Sequence, residues 1–157
     1  MLSLEQIKKQ YPENLQPFER FMLREYLQCK VLEIIFDSKY ANRFALIGGT
    51  ALRLLHGSER VSEDLDFDNF GLTMEDFSGI TSHIRTELEL EGYRVEIRDV
   101  ERGAYHCYIR FPKLLYESGL AGQDEEKILI RLDSEAQHFD FLPETILLNK
   151  FDIFLLL

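Results

Sequence analysis

A pair of aspartates separated by one residue is the first signal of chemistry in this sequence. Asp64 and Asp66 flank Leu65 and precede Phe67, in a short run that is typical of a strand. Because side chains alternate along a strand, both carboxylates point to one face, roughly 6.6 Å apart. Two like charges on one face of a core strand are costly unless a cation neutralises them, and hard oxygen ligands of this kind suit Mg²⁺. A solvated acidic loop, which Asp68 would extend, explains the spacing equally well.

A pair of glycines, Gly48 and Gly49, stands between an apolar strand and a helix. Glycines at such a turn let backbone N–H groups approach an anion, and the N-terminus of the following helix adds partial positive charge. The turn therefore predicts a site for a polyphosphate, although a plain strand-to-helix turn has the same pattern. The segment is neither a P-loop nor a dinucleotide fingerprint, because it has no Gly-Lys-Ser/Thr and no third spaced glycine.

A third carboxylate, Asp133, follows the apolar run 128–132 and is expected at the tip of a strand. It can complete a metal site with the first two aspartates, or it can be a surface acid paired with Arg131 on the same strand face. A Gly-Gly turn, an Asp-x-Asp strand and a strand-borne aspartate together are an arrangement for two-metal phosphoryl or nucleotidyl transfer.

The elements that must position these residues follow from periodicity and turn signals. Apolar residues at spacings of three and four predict helices, and alternation or short apolar runs between turn residues predict strands. Helices are expected over 17–36, 50–56 and 73–90, and from Pro143 onward. Strands are expected over 43–47, 65–68, 93–100, 104–111 and 128–132. This order predicts an α+β or α/β domain built on one mixed sheet flanked by helices.

Length and composition limit the class of protein. With 157 residues, of which 45% are hydrophobic and 29% charged, the chain is expected to be one globular domain. A net charge of −10 makes the chain a poor candidate for non-specific coating of DNA but allows a nucleotide held through Mg²⁺. The two cysteines make no disulfide framework, and the four histidines share no ligand spacing and are expected in structural or surface roles. No signal sequence and no stretch long enough to cross a bilayer is visible, so we expect a cytoplasmic chain with no membrane partner.

The stretch from Gly48 to Phe67 resembles the signature of the AbiEii/AbiGii-type toxin family. That family belongs to the DNA polymerase β-like nucleotidyltransferases and includes the MenT-type toxins. The resemblance implies the nucleotidyltransferase fold over residues 40–157, with an N-terminal helical segment, 1–39, packed on the core. It also implies that the chain lacks the C-terminal helical part of the family, because the sequence continues for only seven residues after Lys150.

Residue roles follow from the resemblance, position by position. The catalytic role and the binding of two Mg²⁺ ions would fall to Asp64, Asp66 and Asp133. The nucleotide would be bound by Gly48, Gly49, Thr50, Arg60, Ser62 and Lys150. Arg60 is expected to neutralise phosphate charge, whereas Arg53 is expected at an exposed helix position.

By resemblance, the chain is expected to be the toxin of a toxin–antitoxin or phage-defence system that transfers NMP from an NTP to an acceptor hydroxyl. The acceptor would be RNA, such as a tRNA 3′ end, or a protein, and an antitoxin protein is an expected partner. The net charge favours a cationic small-molecule acceptor as an alternative, and a non-catalytic nucleotide- or antitoxin-binding module is another. The apolar segment 145–157, interpreted as a helix, predicts a homo-oligomer formed through this C-terminal helix.

Overall fold

The computed structural model describes residues 1–138 and 142–156, with side chains for all of these except 154–156. Its helices are α1 (Leu4–Lys8), α2 (Glu19–Phe36), α3 (Gly48–His56), α4 (Met74–Leu90) and α5 (Leu114–Glu117), with a 3-10 turn at Ala41–Arg43. Its strands are β1 (Phe44–Ile47), β2 (Asp64–Asn69), β3 (Glu96–Glu101), β4 (Tyr105–Phe111), β5 (Ile128–Ala136), β6 (Leu147–Lys150) and β7 (Ile153–Leu156).

Five strands form one mixed sheet in the order β1-β2-β5-β4-β3. Strands β2 and β5 run parallel, and the other neighbouring pairs of this sheet are antiparallel. The remaining strands, β6 and β7, form a separate antiparallel hairpin. The predicted α+β (α/β) class, with helices around one mixed sheet, is confirmed.

The five-stranded sheet buries one face and leaves the other open. Alternate residues of its three central strands are buried in the core, namely Leu65, Phe67, Cys107, Ile109, Ile130 and Leu132. Helices α2 and α4 pack together and against this sheet, and their apolar residues belong to the same core. The residues between the buried ones, which include all three predicted site aspartates, lie on the opposite face, called the open face below.

The start of α4 shows how local sequence fixes an element. Thr73 Oγ1 accepts a hydrogen bond from the Asp76 backbone N–H at 3.1 Å, and Asp76 Oδ2 accepts one from the Thr73 N–H at 3.1 Å. This reciprocal capping box satisfies two N–H groups that a helix start leaves without partners. The helix predicted over 73–90 is thereby confirmed within one residue.

The helix predicted from Pro143 onward is wrong. Residues 142–146 have no regular structure, and β6 and β7 turn back at Phe151 and Asp152, whose φ angles are 58° and 59°. The hairpin packs on α2, and Phe151 and Ile153 are buried, with the Phe151 ring 5.4 Å from that of Tyr26. The chain therefore covers part of its own apolar segment, and the helix through which self-association was predicted does not form in the described residues.

Strand β5 is longer than predicted, so Asp133 lies inside the strand rather than at its tip. Its pairing with β2 continues to the register partners Asn69 and Ala136. The buried amide nitrogen of Asn69 donates a hydrogen bond to Ser134 Oγ at 2.8 Å, which gives each of these two polar side chains a partner within the core. This polar pair lets the parallel ladder extend beyond the apolar run on which the prediction rested.

Candidate active site

The sheet brings all three predicted carboxylates onto its open face. Asp66 pairs in register with Asp133, and Asp133 pairs with His106 on the next strand. Asp64 pairs with Arg131 in the adjacent row, two residues earlier on each strand. Directly paired residues of neighbouring strands point to the same face, so Asp66 and Asp133 stand side by side.

Gly48 approaches Asp66 so closely that no other residue fits without movement. Its φ of +74° is in the left-handed region, and a Cβ added there would lie 2.7 Å from Asp66 Oδ2. Gly49 is also confined, because a Cβ at that position would lie 3.1 Å from Ser62 Oγ. The Gly-Gly turn therefore sets the start of α3 directly over the aspartate row.

A cavity of about 330 Å³ opens at this point of the sheet. Its lining includes Gly48 above, the Asp66–Asp133–His106 row below, and Glu135 at the side. The cavity thus joins a turn suited to an anion with carboxylates suited to a cation.

Arg131 bridges two of the carboxylates. Its Nη2 lies 2.9 Å from Asp64 Oδ2, and its Nε lies 2.8 Å from Asp133 Oδ2. The ring nitrogen Nδ1 of His106 hydrogen-bonds to the other oxygen of Asp133, Oδ1. The pairing of Arg131 with Asp133, which the sequence left open as a rival interpretation, is therefore present together with the carboxylate cluster.

The carboxylate of Asp66 has no hydrogen bond or ion pair with any other residue that the structure describes. Burial, and after it the negative charges of Asp133 and Asp64, raise the pKa of the Asp66 carboxyl, while Arg131 acts in the opposite direction. The cluster carries more negative charge than Arg131 balances, and a cation would relieve that excess.

The donor set fits a divalent cation held by Asp66 and Asp133. Among the residues described, no three His, Cys, Asp or Glu side chains converge as a complete metal cluster, and Asp64 is engaged by Arg131. A cation at the Asp66–Asp133 pair would complete its oxygen shell with phosphate or water, as Mg²⁺ commonly does.

Three other predicted nucleotide contacts follow the Gly-Gly turn along the chain, in different surroundings. Thr50 is buried, and its hydroxyl donates a hydrogen bond to the Asp64 carbonyl, which ties α3 to β2. Ser62 is half-buried against Gly49, whereas the side chain of Arg60 is exposed. Of these three, Ser62 is the one that the structure packs against the turn.

The remaining predicted contact, Lys150, belongs to a different cluster. Its Nζ lies 3.4 Å from Glu25 Oε2, and Glu25 is only 1% exposed. Arg53 Nε lies 2.5 Å from Glu25 Oε1, and the Tyr11 hydroxyl donates to Glu25 Oε2. Arg53 is therefore largely buried in an ion pair, so its predicted exposure is wrong. Lys150 and Arg53 line a separate cavity with Phe18 rather than the one that holds Asp66.

Two features of the site were not predicted from the sequence. One is the contact of His106 with Asp133, and the other is the bridge that Arg131 forms between Asp64 and Asp133. The sequence shows that His106 and Cys107 point to opposite faces of a strand, and Cys107 is indeed buried. It gives no register between β4 and β5, however, and that register is what sets His106 beside Asp133.

A mixed five-stranded sheet with a glycine turn over an Asp-x-Asp strand defines a nucleotidyltransferase-type fold. The crystal structure of JHP933 from Helicobacter pylori superimposes with a TM-score of 0.57 at 17% identity, over 88% of this chain and 52% of that one. MenT4, a nucleotidyltransferase toxin from Mycobacterium tuberculosis, superimposes with a TM-score of 0.53 at 15% identity, over 100% of this chain and 49% of that one. These similarities confirm the predicted fold, and this chain spans about half the length of either structure.

Sequence comparison identifies the family. The family described as nucleotidyl transferase AbiEii toxin, type IV TA system, matches residues 30–151. The chain belongs to this family, which confirms the resemblance based on the stretch from Gly48 to Phe67. No protein with a curated description matches the sequence significantly.

The helices that the structure describes include none that is both long and apolar enough to cross a membrane.

Proposed function

We propose that this chain carries the catalytic site of a Mg²⁺-dependent nucleotidyltransferase, the toxin component of a toxin–antitoxin system. The reaction is transfer of NMP from an NTP to an acceptor hydroxyl. The observation that carries the proposal is the Asp66 carboxylate, which is unpaired among the described residues, stands beside Asp133 and lies under Gly48. Membership of the AbiEii family supports the class of reaction.

The triphosphate binds at the Gly-Gly turn in this proposal. Helix α3 has nine residues and begins at Gly48. Its N-cap residue, Ile47, makes no side-chain hydrogen bond to the first turn. Its first N–H groups are therefore available to an anion, at the end of the helix that carries partial positive charge. Arg60 and Ser62, on the loop between α3 and β2, supply further phosphate contacts. We leave Lys150 out of the phosphate site, because its ammonium group is engaged with Glu25.

Asp64, Asp66 and Asp133 would hold the two metal ions, with Asp66 and Asp133 as the pair in direct register. Bound Mg²⁺ supplies Lewis acidity that lowers the pKa of the attacking hydroxyl and neutralises charge on the pyrophosphate leaving group. The acceptor oxygen forms a bond to the α-phosphorus, and the bond from that phosphorus to pyrophosphate breaks. Asp133 takes the hydroxyl proton, and His106 holds the Asp133 carboxylate in orientation.

RNA, such as the 3′ end of a tRNA, is the acceptor that we favour over a protein. Arg98, Tyr108 and Arg131 are consecutive register partners on the open face. The Arg110 guanidinium lies 5.6 Å from the centroid of the Tyr108 ring. Neither Arg98 nor Arg110 has a carboxylate partner among the described residues. Unpaired arginines beside an aromatic ring suit a single strand, which needs phosphate contacts and a stacking surface.

The wider setting of this proposal is a cytoplasmic one, in which an antitoxin protein controls the enzyme. Residues 40–157 carry the site, and segment 1–39 packs on the same core through α2.

The test is incubation of the chain with each of four α-labelled NTPs, Mg²⁺ and total RNA, with Asp66→Asn as the inactive variant. Asp124→Asn is the matched control, because Asp124 is an exposed acid whose only described ion-pair partner, Lys113, is 3.9 Å away. Label on RNA that depends on Asp66 and not on Asp124 supports the proposal. Label only on an added aminoglycoside favours the small-molecule enzyme, which the −10 charge of the chain suits. Bound NTP without transfer to any acceptor identifies a non-catalytic module.

A further inference from the structure

Arg131 occupies the centre of the carboxylate cluster. It lies two residues before Asp133 on β5 and opposite Asp64 on β2, so the sheet directs all three side chains to the open face. The guanidinium contacts Oδ2 of both acids, at 2.9 Å for Asp64 and 2.8 Å for Asp133. These contacts raise the pKa of Arg131 further, so the group is positively charged at any working pH.

The bridge uses the oxygens that a metal ion would need. Arg131 takes Oδ2 of Asp133 while His106 takes Oδ1, so both oxygens of this carboxylate already have a partner. A divalent cation beside Asp133 would lie within a few ångströms of the guanidinium, where two positive charges repel strongly. Binding of the cation and retention of the bridge therefore oppose each other.

The side chain of Arg131 is open to solvent on one side, so a path out of the cluster exists. It is 45% exposed, and its described ion pairs are those with Asp64 and Asp133. Asp64 and Asp133, which are 39% and 21% exposed, remain in contact with solvent when the guanidinium leaves, in contrast to Glu25, which is 1% exposed.

We propose that Arg131 is an internal cation that neutralises Asp64 and Asp133 in the metal-free chain and is displaced when a divalent metal binds. This inference rests on the metal site of the proposed function. It follows that the bridge keeps the metal-free fold stable and weakens the binding of metal on its own. Arg131 is a positioning residue in this account, since it acts on the metal through two of its ligands.

The test measures binding of Mn²⁺ alone, without nucleotide, by calorimetry on the wild-type chain and on Arg131→Gln. Loss of a positive charge this close to the site is expected to tighten Mn²⁺ binding about tenfold or more, and to lower the metal-free melting temperature. Arg94→Gln is the matched control, because Arg94 has the same charge and is paired with Glu117 on an exposed surface. It is expected to bind Mn²⁺ as the wild type does.

A second measurement uses the wild-type protein, so that the test survives if the variant fails to fold. Titration with Mg²⁺ is expected to shift the side-chain Nε resonance of Arg131 in step with metal occupancy, and to leave that of Arg94 unchanged. An Arg131 resonance that stays in place at saturating Mg²⁺ overturns the inference.

Asp66→Asn distinguishes failure of the inference from failure of the proposed function. If Mn²⁺ binds the wild type and is lost in Asp66→Asn, but Arg131→Gln binds no more tightly, the metal site stands and the displacement of Arg131 is wrong. If neither the wild type nor Arg131→Gln binds Mn²⁺ in an Asp66-dependent way, the metal site and the inference both fall.

Discussion

Replacement of Glu25 by glutamine tests the buried network that joins the N-terminal segment to the C-terminal hairpin. Glu25 is 1% exposed and faces Arg53 at 2.5 Å and Lys150 at 3.4 Å, and it also accepts a hydrogen bond from the Tyr11 hydroxyl. Burial and the Glu25 charge raise the pKa of Tyr11, so that hydroxyl remains a donor. Glutamine keeps the shape of the side chain but removes its charge, which leaves both cations without their counterion.

The expected loss follows from these exposures. Removing one partner of a buried ion pair costs about 3–5 kcal/mol. Arg53 is 13% exposed and Lys150 29% exposed, so water can partly solvate them after the change. We therefore expect the lower end, about 3 kcal/mol, or a fall in Tm of about 6–12 °C for a chain of this size.

The assay is thermal and urea unfolding followed by circular dichroism, with Glu63→Gln as the control. Glu63 is 67% exposed and pairs with Arg24 at 2.6 Å, so its loss is expected to cost less than about 1 kcal/mol. A Glu25→Gln variant within about 1 kcal/mol of the wild type would refute the reasoning, because it would mean that Arg53 and Lys150 do not depend on the Glu25 charge.

Three further predictions concern the candidate site. Burial and neighbouring acids raise the pKa of Asp66 above its usual 3.8. The protonated Asp66 side chain therefore contributes stability to the folded chain below about pH 3.8, and this contribution is lost as the pH rises through the folded-state pKa and the carboxyl ionises. Asp66→Asn is therefore expected to raise the Tm of the metal-free chain at pH 7, with a gain that disappears below about pH 4. Gly48→Ala is expected to lose about 1–2 kcal/mol of stability from its φ of +74°, and also its metal binding, because the new Cβ displaces Asp66. Lys150→Met is expected to lower Tm by a few degrees through loss of its contact with Glu25, with unchanged NTP affinity.

The chain offers matched controls for these variants. Gly57 has a φ of +68° but open space around it, so Gly57→Ala is expected to lose similar stability and to retain metal binding. Equal metal binding in Gly48→Ala would contradict the close approach to Asp66.

Lys127→Met is the control for Lys150→Met. It removes an exposed ion pair with Glu96 and is expected to leave Tm nearly unchanged. A strong loss of NTP affinity in Lys150→Met at unchanged Tm would return Lys150 to the nucleotide site. A metal-free Asp66→Asn that melts below the wild type at pH 7 would mean that Asp66 is structural.

Local sequence was sufficient for the elements that frame the site. The alternation around Asp64 and Asp66 predicts a strand with both carboxylates on one face, and the strand β2 has that arrangement. Thr73 and Asp76 predict the start of α4, because a capping box depends on residues within one turn.

Local sequence was insufficient where distant residues decide. The turn at Phe151 and Asp152 has positive φ at both positions without a glycine or asparagine to signal it, so the apolar pattern of the segment predicts a helix instead. No local pattern predicts the burial of Glu25, since its partners Arg53 and Lys150 come from distant elements. The place of His106 beside Asp133 is likewise not predictable from local sequence, because it depends on the register between β4 and β5.

The most direct test of the central claim is a crystal structure of the chain soaked with Mn²⁺ and a non-hydrolysable NTP analogue. The account predicts an anomalous peak bonded to Asp66 and Asp133, with the triphosphate against the N–H groups of Gly48 and Gly49. A nucleotide bound instead in the cavity beside Lys150 and Arg53, or metal density away from Asp66, would contradict it.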